Sequence, residues 1–457
     1  MKTSKLFYWG SLVIGLTFLS LLSCKKDAQD DPEKSGPGSK GFVSNDMVMY
    51  WNDKASVVLR TPMTPPSQSR YFAMVQIAVH DALNSIKPKF ETYALKGVRE
   101  KNANPDAAVA SAAYWAIKGM NVQGENPIDD WYAQSLATIP DNESKELGKT
   151  LGKKAADAIH TNRSGDHFDE ANQQLPGPDG VAPGEYRSTL PFSNEGMPKI
   201  NGLQQWGTLM TPFVTQSNSQ FRPEAPYAPN SIFYKEDYNE VKARGARVGY
   251  TRTADEDEMG RFWAADRPSI IWNSFARNVL TSKKIDAWKT ARLFALMHTG
   301  MVDAISGVFE AKYHYLYWRP ETAIRLGDSD GNDQTAGDES WLPSVIDIPN
   351  PANPDMNVYT PPIPGYPAGP AAFGGSACVV LSLFLGNDII SVDQTNLSLP
   401  GVTRHYFSIA QASRENALAR IYAGHYFRND CLKGEKLGQD IGYYVFKNSF
   451  RETGNNE

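Results

Sequence analysis

Cysteine and histidine are scarce in this chain, 3 and 7 among 457 residues. So few thiols exclude a disulfide-stapled scaffold and any cysteine-rich metal domain. An excess of positive charge is missing too, because 46 Lys and Arg face 51 Asp and Glu for a net charge of −5. Phosphate-backbone binding needs a basic face, so the balance argues against a nucleic-acid partner. No alternating apolar and polar pattern of strand length stands out, and no change of composition between Trp51 and Phe450 marks a linker. These absences leave one large body dominated by helices.

The first residues read as an export signal. Lys2 and Lys5 precede an apolar run, 6–22, too short and wrongly flanked to span a bilayer stably. The run ends in Leu21-Leu22-Ser23-Cys24, which looks like a bacterial lipobox, so residues 1–23 are expected to be removed and Cys24 acylated. The polar stretch 24–40 has too little apolar surface to offset the entropy of ordering and makes a tether. Acyl chains on Cys24 would hold the protein on a membrane of the bacterial cell envelope, on the periplasmic or cell-surface side of the outer membrane, without a spanning helix. Of the other cysteines, Cys378 lies in the apolar run 377–385 and reads as a small core residue; pairing with Cys431 is the alternative.

Two distant segments match residue for residue. Arg70, Phe72, Ala73, Asp81 and Ala82 recur at identical offsets as Arg292, Phe294, Ala295, Asp303 and Ala304. Both carry apolar residues at helical spacing, as in Leu293, Leu296, Met297, Met301, Ile305 and Val308, so each buries a stripe in a helical core. The expectation is an all-α fold of two related helical bundles packed together, an N-terminal one over about 51–165 and a C-terminal one over about 255–450, within a body spanning 41–457. Further helices are predicted over 107–118, 130–137, 144–160, 255–265, 270–280, 371–385, 408–428 and 435–446. Between the bundles, the Pro-rich stretch at about 166–230 carries aromatic residues, Tyr186, Trp206 and Phe213 among them, that a disordered linker would leave in water. It reads as an ordered arm wrapping the bundle.

Three stretches of the last third hold the candidate chemistry. Lys312 and Arg319 stand seven apart with Pro320 closing the run, a spacing of two helical turns that would aim both cations at one tetrahedral oxyanion. In 361–373, Gly369 lies just ahead of a helix whose first N–H groups can face an anion. In 415–430, Arg420 and Asp430 flank His425 and Tyr426. Taken singly each stretch is ordinary, since two cations at a helix end are more often a solvated surface pair. Together they resemble the vanadium-dependent haloperoxidases and the related type-2 phosphatidic-acid phosphatases, whose motifs are Lys-x6-Arg-Pro, Pro-Ser-Gly-His and Ser-Arg-x5-His-x3-Asp. The likeness continues upstream through Trp206-Gly207, Thr211-Pro212-Phe213, Gln220-Phe221-Arg222-Pro223, Arg252-Thr253 and Arg261-Phe262-Trp263.

The resemblance implies a fold of the vanadium chloroperoxidase type and an oxyanion pocket made by Lys312, Arg319, Gly369 and Arg420, with vanadate or phosphate as its occupant. It also marks three departures. The family's serine is here Ala368, its acid–base histidine is Pro370, and its metal-ligating or nucleophilic histidine falls on Tyr426. Proline can neither shuttle a proton nor offer a backbone N–H, and a phenol, with an ordinary pKa of about 10, replaces an imidazole poorly at neutral pH. His425 stands one residue early, which on a helix is a rotation of about 100° that would turn its ring away.

The expected function is that of a haloperoxidase-like lipoprotein with an oxyanion pocket and with peroxidase activity weak or lost. Two alternatives stay open. One is an active vanadium haloperoxidase or acid phosphatase using His425, with Tyr426 and His405 as further candidates for chemistry on an anionic substrate. The other is a non-catalytic anion-binding or scaffold protein. A metal site built from His160, His167, Asp166 and Asp169 is not expected, because their spacing does not share one face.

Overall fold

In the computed structural model the described residues are 43–122, 127–175, 179–189, 202–344 and 360–454; the export signal, Cys24 and the tether lie outside them. The helices are α1 (Asp46–Val58), α2 (Pro65–Ile86), α3 (Pro105–Gly119), α4 (Ile128–Ala137), α5 (Glu143–Asn162), α6 (Phe168–Ala171), α7 (Trp206–Leu209), α8 (Ile232–Arg244), α9 (Ala254–Ala264), α10 (Pro268–Thr281), α11 (Ala287–Tyr315), α12 (Pro320–Arg325), α13 (Gly369–Leu385), α14 (Ile409–Tyr422) and α15 (Arg428–Asn448). The repeated segments are α2 and α11, which pack against each other at the centre. Thr64 starts α2 by accepting from the Ser67 N–H, and Asp286 starts α11 by accepting from the Lys289 N–H. Around them, α3 and α5 complete one bundle, and α13 and α15 complete the other.

The two bundles are built alike in detail. A Cβ on Gly148 or Gly152 of α5 would come within 3.0 Å of the Asn104 or Ala108 carbonyl of α3, and one on Gly434 or Gly438 of α15 would meet the Ala368 or Ala372 carbonyl of α13 in the same way. In each bundle this contact lets helix backbones touch. The Asn104 N–H donates to the Ser144 carbonyl (2.8 Å), and the Ala368 N–H donates to the Asp430 carbonyl (2.9 Å).

The repeated Asp does the same work twice. Asp81 accepts from the N–H groups of Tyr93, Ala94 and Leu95 at 2.6–2.8 Å, and Asp303 from those of Phe213, Val214 and Thr215 at 2.7–2.9 Å. Three donors satisfy a carboxylate that burial would otherwise disfavour. The two cradles touch, because Tyr93 stacks on Phe213 and its hydroxyl donates to the Phe213 carbonyl. The repeated Arg ties down the segment after the last helix of its own bundle: Arg70 bonds Asp166 and the Arg163 carbonyl, and Arg292 bonds the Phe450 carbonyl.

Of the intervening stretch, Tyr186, Trp206 and Phe213 are buried. Tyr186 donates its N–H to the Leu316 carbonyl, and the Trp206 indole donates to Ser306 on α11. Among the described residues no helix is long and apolar enough to cross a membrane. Cys378 and Cys431 are both buried with free thiols.

Two expectations need correction. A hairpin of β1 (Ile389–Thr395) and β2 (Thr403–Ser408) is present, with Val392 opposite Tyr406. Its alternation is masked because Gln394 points inward while Ile389 and Phe407 point into solvent. The helix expected over 408–428 also stops early, at Tyr422, and α15 starts at Arg428 rather than at 435. Gly424, at φ 78°, ends α14 in a Schellman turn: its N–H donates to the Ile421 carbonyl and that of His425 to the Arg420 carbonyl.

The backbone contact between α13 and α15 predicts that Gly438→Ala destabilises the protein by about 3 kcal/mol, through overpacking against Ala372. Gly165→Ala, whose Cβ meets nothing within 4 Å, should change stability little. Urea denaturation of the two variants checks this.

Candidate functional site

Lys312 sits on the last turn of α11. The helix ends because Leu316 adopts the left-handed conformation at φ 48°, and Arg319 then immediately precedes α12. The two cations are therefore not two turns apart on one helix, as the spacing suggested. They converge because the chain reverses between them, with both charges facing the ring of Tyr426. The Arg319 Cζ lies 4.4 Å and the Lys312 Nζ 5.2 Å from the ring centroid. Arg420, on the last turn of α14, is close enough to the same phenol to interact with it electrostatically.

All three cations are buried, and none is ion-paired with a described carboxylate. Backbone carbonyls take that place. Lys312 donates to the carbonyls of Pro364 (2.5 Å) and Gly365 (2.6 Å), Arg319 to those of Ile363 (2.9 Å) and His425 (3.1 Å), and Arg420 to that of Trp263 (2.7 Å) and to the Asn416 side chain (3.3 Å). The shell is incomplete. Arg319 Nη2, Arg420 Nε, His425 Nε2 and Asp430 Oδ1 are sealed from water without a hydrogen-bond partner among the described residues.

Such burial moves the titrations. Desolvation, followed by the Arg319 charge, lowers the Lys312 ammonium well below its ordinary value. Desolvation lowers Arg420 to about 10 and raises Asp430, its carboxylate bonded to the Phe427 N–H, to about 7. His425 is lowered to about 3, by burial first and then by Arg319 and Arg420, so its imidazole is neutral at neutral pH.

His425 and Tyr426 both lie in the turn between α14 and α15, so the argument from a 100° helical rotation does not apply to them. The His425 backbone is clamped between two arginines, its N–H on the Arg420 carbonyl and its own carbonyl on Arg319. Tyr426 faces a cavity of about 300 Å³ that Lys312, Gly369 and Pro370 also line; His425, Arg319 and Arg420 do not line it. Ala368 precedes α13 and gives it no side-chain cap, while the Pro370 carbonyl accepts from Asn416 (2.7 Å), linking this loop to Arg420.

The remaining candidates lie elsewhere. His405 sits on the exposed hairpin, its Nδ1 bonded to Asp393. His160, His167, Asp166 and Asp169 do line one cleft, but Asp166 is taken by Arg70 and Arg163 and the His160 ring by the Ala116 carbonyl. Among the described residues no group of His, Cys, Asp and Glu could hold a metal ion. Sequence reasoning missed Asn416 and the carbonyls of Trp263 and 363–365, because a main-chain acceptor leaves no mark on residue identity.

Fold and site together define a duplicated helical-bundle protein with a cationic cup at the end of its second bundle. Comparison with known proteins assigns that class. A family profile, the VCPO second helical-bundle domain, matches residues 292–453. Vanadium chloroperoxidase of Curvularia inaequalis is 22% identical over 514 residues, covering 89% of this chain and 81% of that protein. The crystal structure of the first bacterial vanadium-dependent iodoperoxidase matches with a TM-score of 0.71 at 22% identity, over 92% of this chain and 99% of that one. The holo form of a bacterial vanadium-dependent chloroperoxidase matches with a TM-score of 0.61 at 13% identity, over 90% and 98%. Residues 292–453 thus match the second helical bundle of that family, and the chain as a whole shares the fold of the vanadium-dependent haloperoxidases.

The unpaired N–H groups of Arg319 and Arg420 fit an oxyanion held by charge and hydrogen bonds. Neither arginine lines the cavity beside them, where the wall presents the phenol of Tyr426, while the unpaired Nε2 of His425 is buried near both.

The buried histidines give a pH dependence. His425 and His298, each lowered to about 3, stay neutral in the folded chain while the unfolded chain binds protons below its ordinary value of about 6.5. Their contribution is fully present above that pH and lost as pH falls toward 3, at roughly 1.4 kcal/mol per pH unit for each histidine. His425→Gln should remove one of the two contributions to the slope, read by urea denaturation across that window.

Proposed function

We propose that this protein is a haloperoxidase-family lipoprotein whose pocket binds an oxyanion, and whose peroxidase activity is weak or lost. The observation that carries the reading is the burial of Lys312, Arg319 and Arg420 with no direct ion pair among the described residues, Asp430 being the one carboxylate that acts on Lys312 and Arg319 through space, and with N–H groups of both arginines left unpaired. An uncompensated buried guanidinium costs several kcal/mol, which a bound anion offsets. The cavity beside these arginines, which Lys312, Gly369, Pro370 and Tyr426 line, presents neither the proton donor nor the imidazole ligand that the resemblance implies. Pro370 stands at the acid–base position, Ala368 offers no hydroxyl, and Tyr426 presents a phenol at the ligand position.

One observation favours a second reading, an active haloperoxidase using His425. Its Nε2 is buried, unpaired and unprotonated at neutral pH, near both arginines. Turnover separates the two. The purified chain given vanadate, peroxide and iodide or bromide should halogenate a dye no faster than the protein-free control. Vanadium-dependent turnover that disappears in His425→Ala would establish the second reading instead. Phosphate or vanadate should raise thermal stability, by about 2.7 kcal/mol at a hundredfold excess over Kd, and Arg420→Met should abolish that gain.

Anchoring on the cell envelope through Cys24 is part of the proposal, supported by Lys2, Lys5 and the apolar run that ends in Leu21-Leu22-Ser23-Cys24. In cells fed radiolabelled palmitate the chain should carry label, and Cys24→Ser should carry none.

A further inference from the structure

The cavity beside the cup is too apolar for an inorganic ion alone. Of its volume of about 300 Å³, most of the wall is hydrocarbon from Leu203, Ile305, Phe309, Ile363 and Phe373, together with several prolines. A bare oxyanion placed there would leave that wall facing water. Few polar side chains reach the lining. Thr64 is taken by Ser67 and Asn172, and Gln174 is solvent-exposed. The other two, Lys312 and Tyr426, stand together, the Lys312 Nζ 5.2 Å from the ring centroid, and Gly369 at the start of α13 lines the same cavity.

That part of the wall is built to receive a head group. Tyr426 is 5% exposed and lines the cavity, and its hydroxyl has no hydrogen-bond partner among the described residues. Lys312 uses two of its three N–H donors on the Pro364 and Gly365 carbonyls. At the start of α13 the amides of Gly369 and Ala371 lack acceptors within the helix, Pro370 between them having none to offer, and Ala368 supplies no side-chain cap. At the matching position of the first bundle, the Asn104 side chain accepts from the Ala107 N–H (2.9 Å) and closes its own helix end.

We infer that the site takes an organic monoanion, a single carboxylate on an apolar aryl or branched-alkyl body. The head meets the Tyr426 hydroxyl, Lys312 and the start of α13; the body lies against Ile305, Phe309, Ile363 and Phe373. This deepens the anion-pocket reading above, on which it rests, by naming the class of anion. Each methylene buried against such a wall should tighten binding about fourfold.

Calorimetric titration of the full chain tests it with 4-butylbenzoate, acetate, inorganic phosphate and the neutral 4-butylbenzyl alcohol. Butylbenzoate should bind at least tenfold tighter than the other three. Tyr426→Phe should weaken it about tenfold. Ile363→Trp, on a half-buried loop, should abolish butylbenzoate binding. If that variant does not fold, the series acetate, butyrate, octanoate on the unaltered chain reads the same property as a gain per methylene. Phosphate binding with butylbenzoate no tighter than acetate would overturn the inference and leave the anion reading standing; binding of neither would overturn both. Equal binding of the acid and the alcohol would also overturn it, since the head would then not be read as an anion.

Discussion

Backbone touches backbone where α15 crosses α13, and the site depends on that contact. Only glycine at 434 and 438 allows it, because any Cβ would collide with the Ala368 and Ala372 carbonyls. The approach brings the Asp430 carbonyl within reach of the Ala368 N–H, so the first residues of the two helices are locked together. Asp430 also reaches back to the Phe427 N–H, which fixes how the chain enters α15 and hence where the ring of Tyr426 lies. The start of α13, Tyr426 and the cations that face it thus inherit their positions from one stripe of missing side chains.

Five of the buried charges are surrounded by main chain rather than by direct counter-ions. Asp81 and Asp303 each sit among three N–H groups, and Lys312, Arg319 and Arg420 sit among carbonyls. The outcomes differ. The carboxylates have their donors and act as structural pins. The guanidinium groups keep unsatisfied N–H atoms, and dipoles cancel a full charge only in part, so the cup retains positive potential. A protein that needed these arginines only for stability would be expected to pair them with carboxylates, as it does Arg70 and Arg163 with Asp166.

Much of this was legible in the sequence. The recurrence of Arg70 to Ala82 as Arg292 to Ala304 identified the two central helices and their matching roles, because a buried Asp at a fixed offset from a core stripe is a demanding pattern. Lys312, Arg319 and Arg420 were singled out by the resemblance of their three motifs taken together, since the spacing of any one of them is ordinary. The route by which they meet was not. Leu316 breaks α11 in a left-handed conformation that leucine does not advertise, and apolar periodicity running through Tyr422 and Tyr426 hid the end of α14 even though Gly424 was a visible stop signal. The apolar cavity was out of reach for another reason, since its wall gathers residues from segments as distant as Leu203 and Phe373.

The turn at Gly424 bears on how the pocket responds to substitution. The hydrogen bonds found for residues 424 and 425 use only the main-chain atoms of those two residues, with the carbonyls of Ile421 and Arg420 and the guanidinium of Arg319 as partners. The backbone path there does not depend on which aromatic ring follows. A substitution at 426 would therefore change the ring that faces the cavity while leaving the backbone turn at 424 and 425 in place.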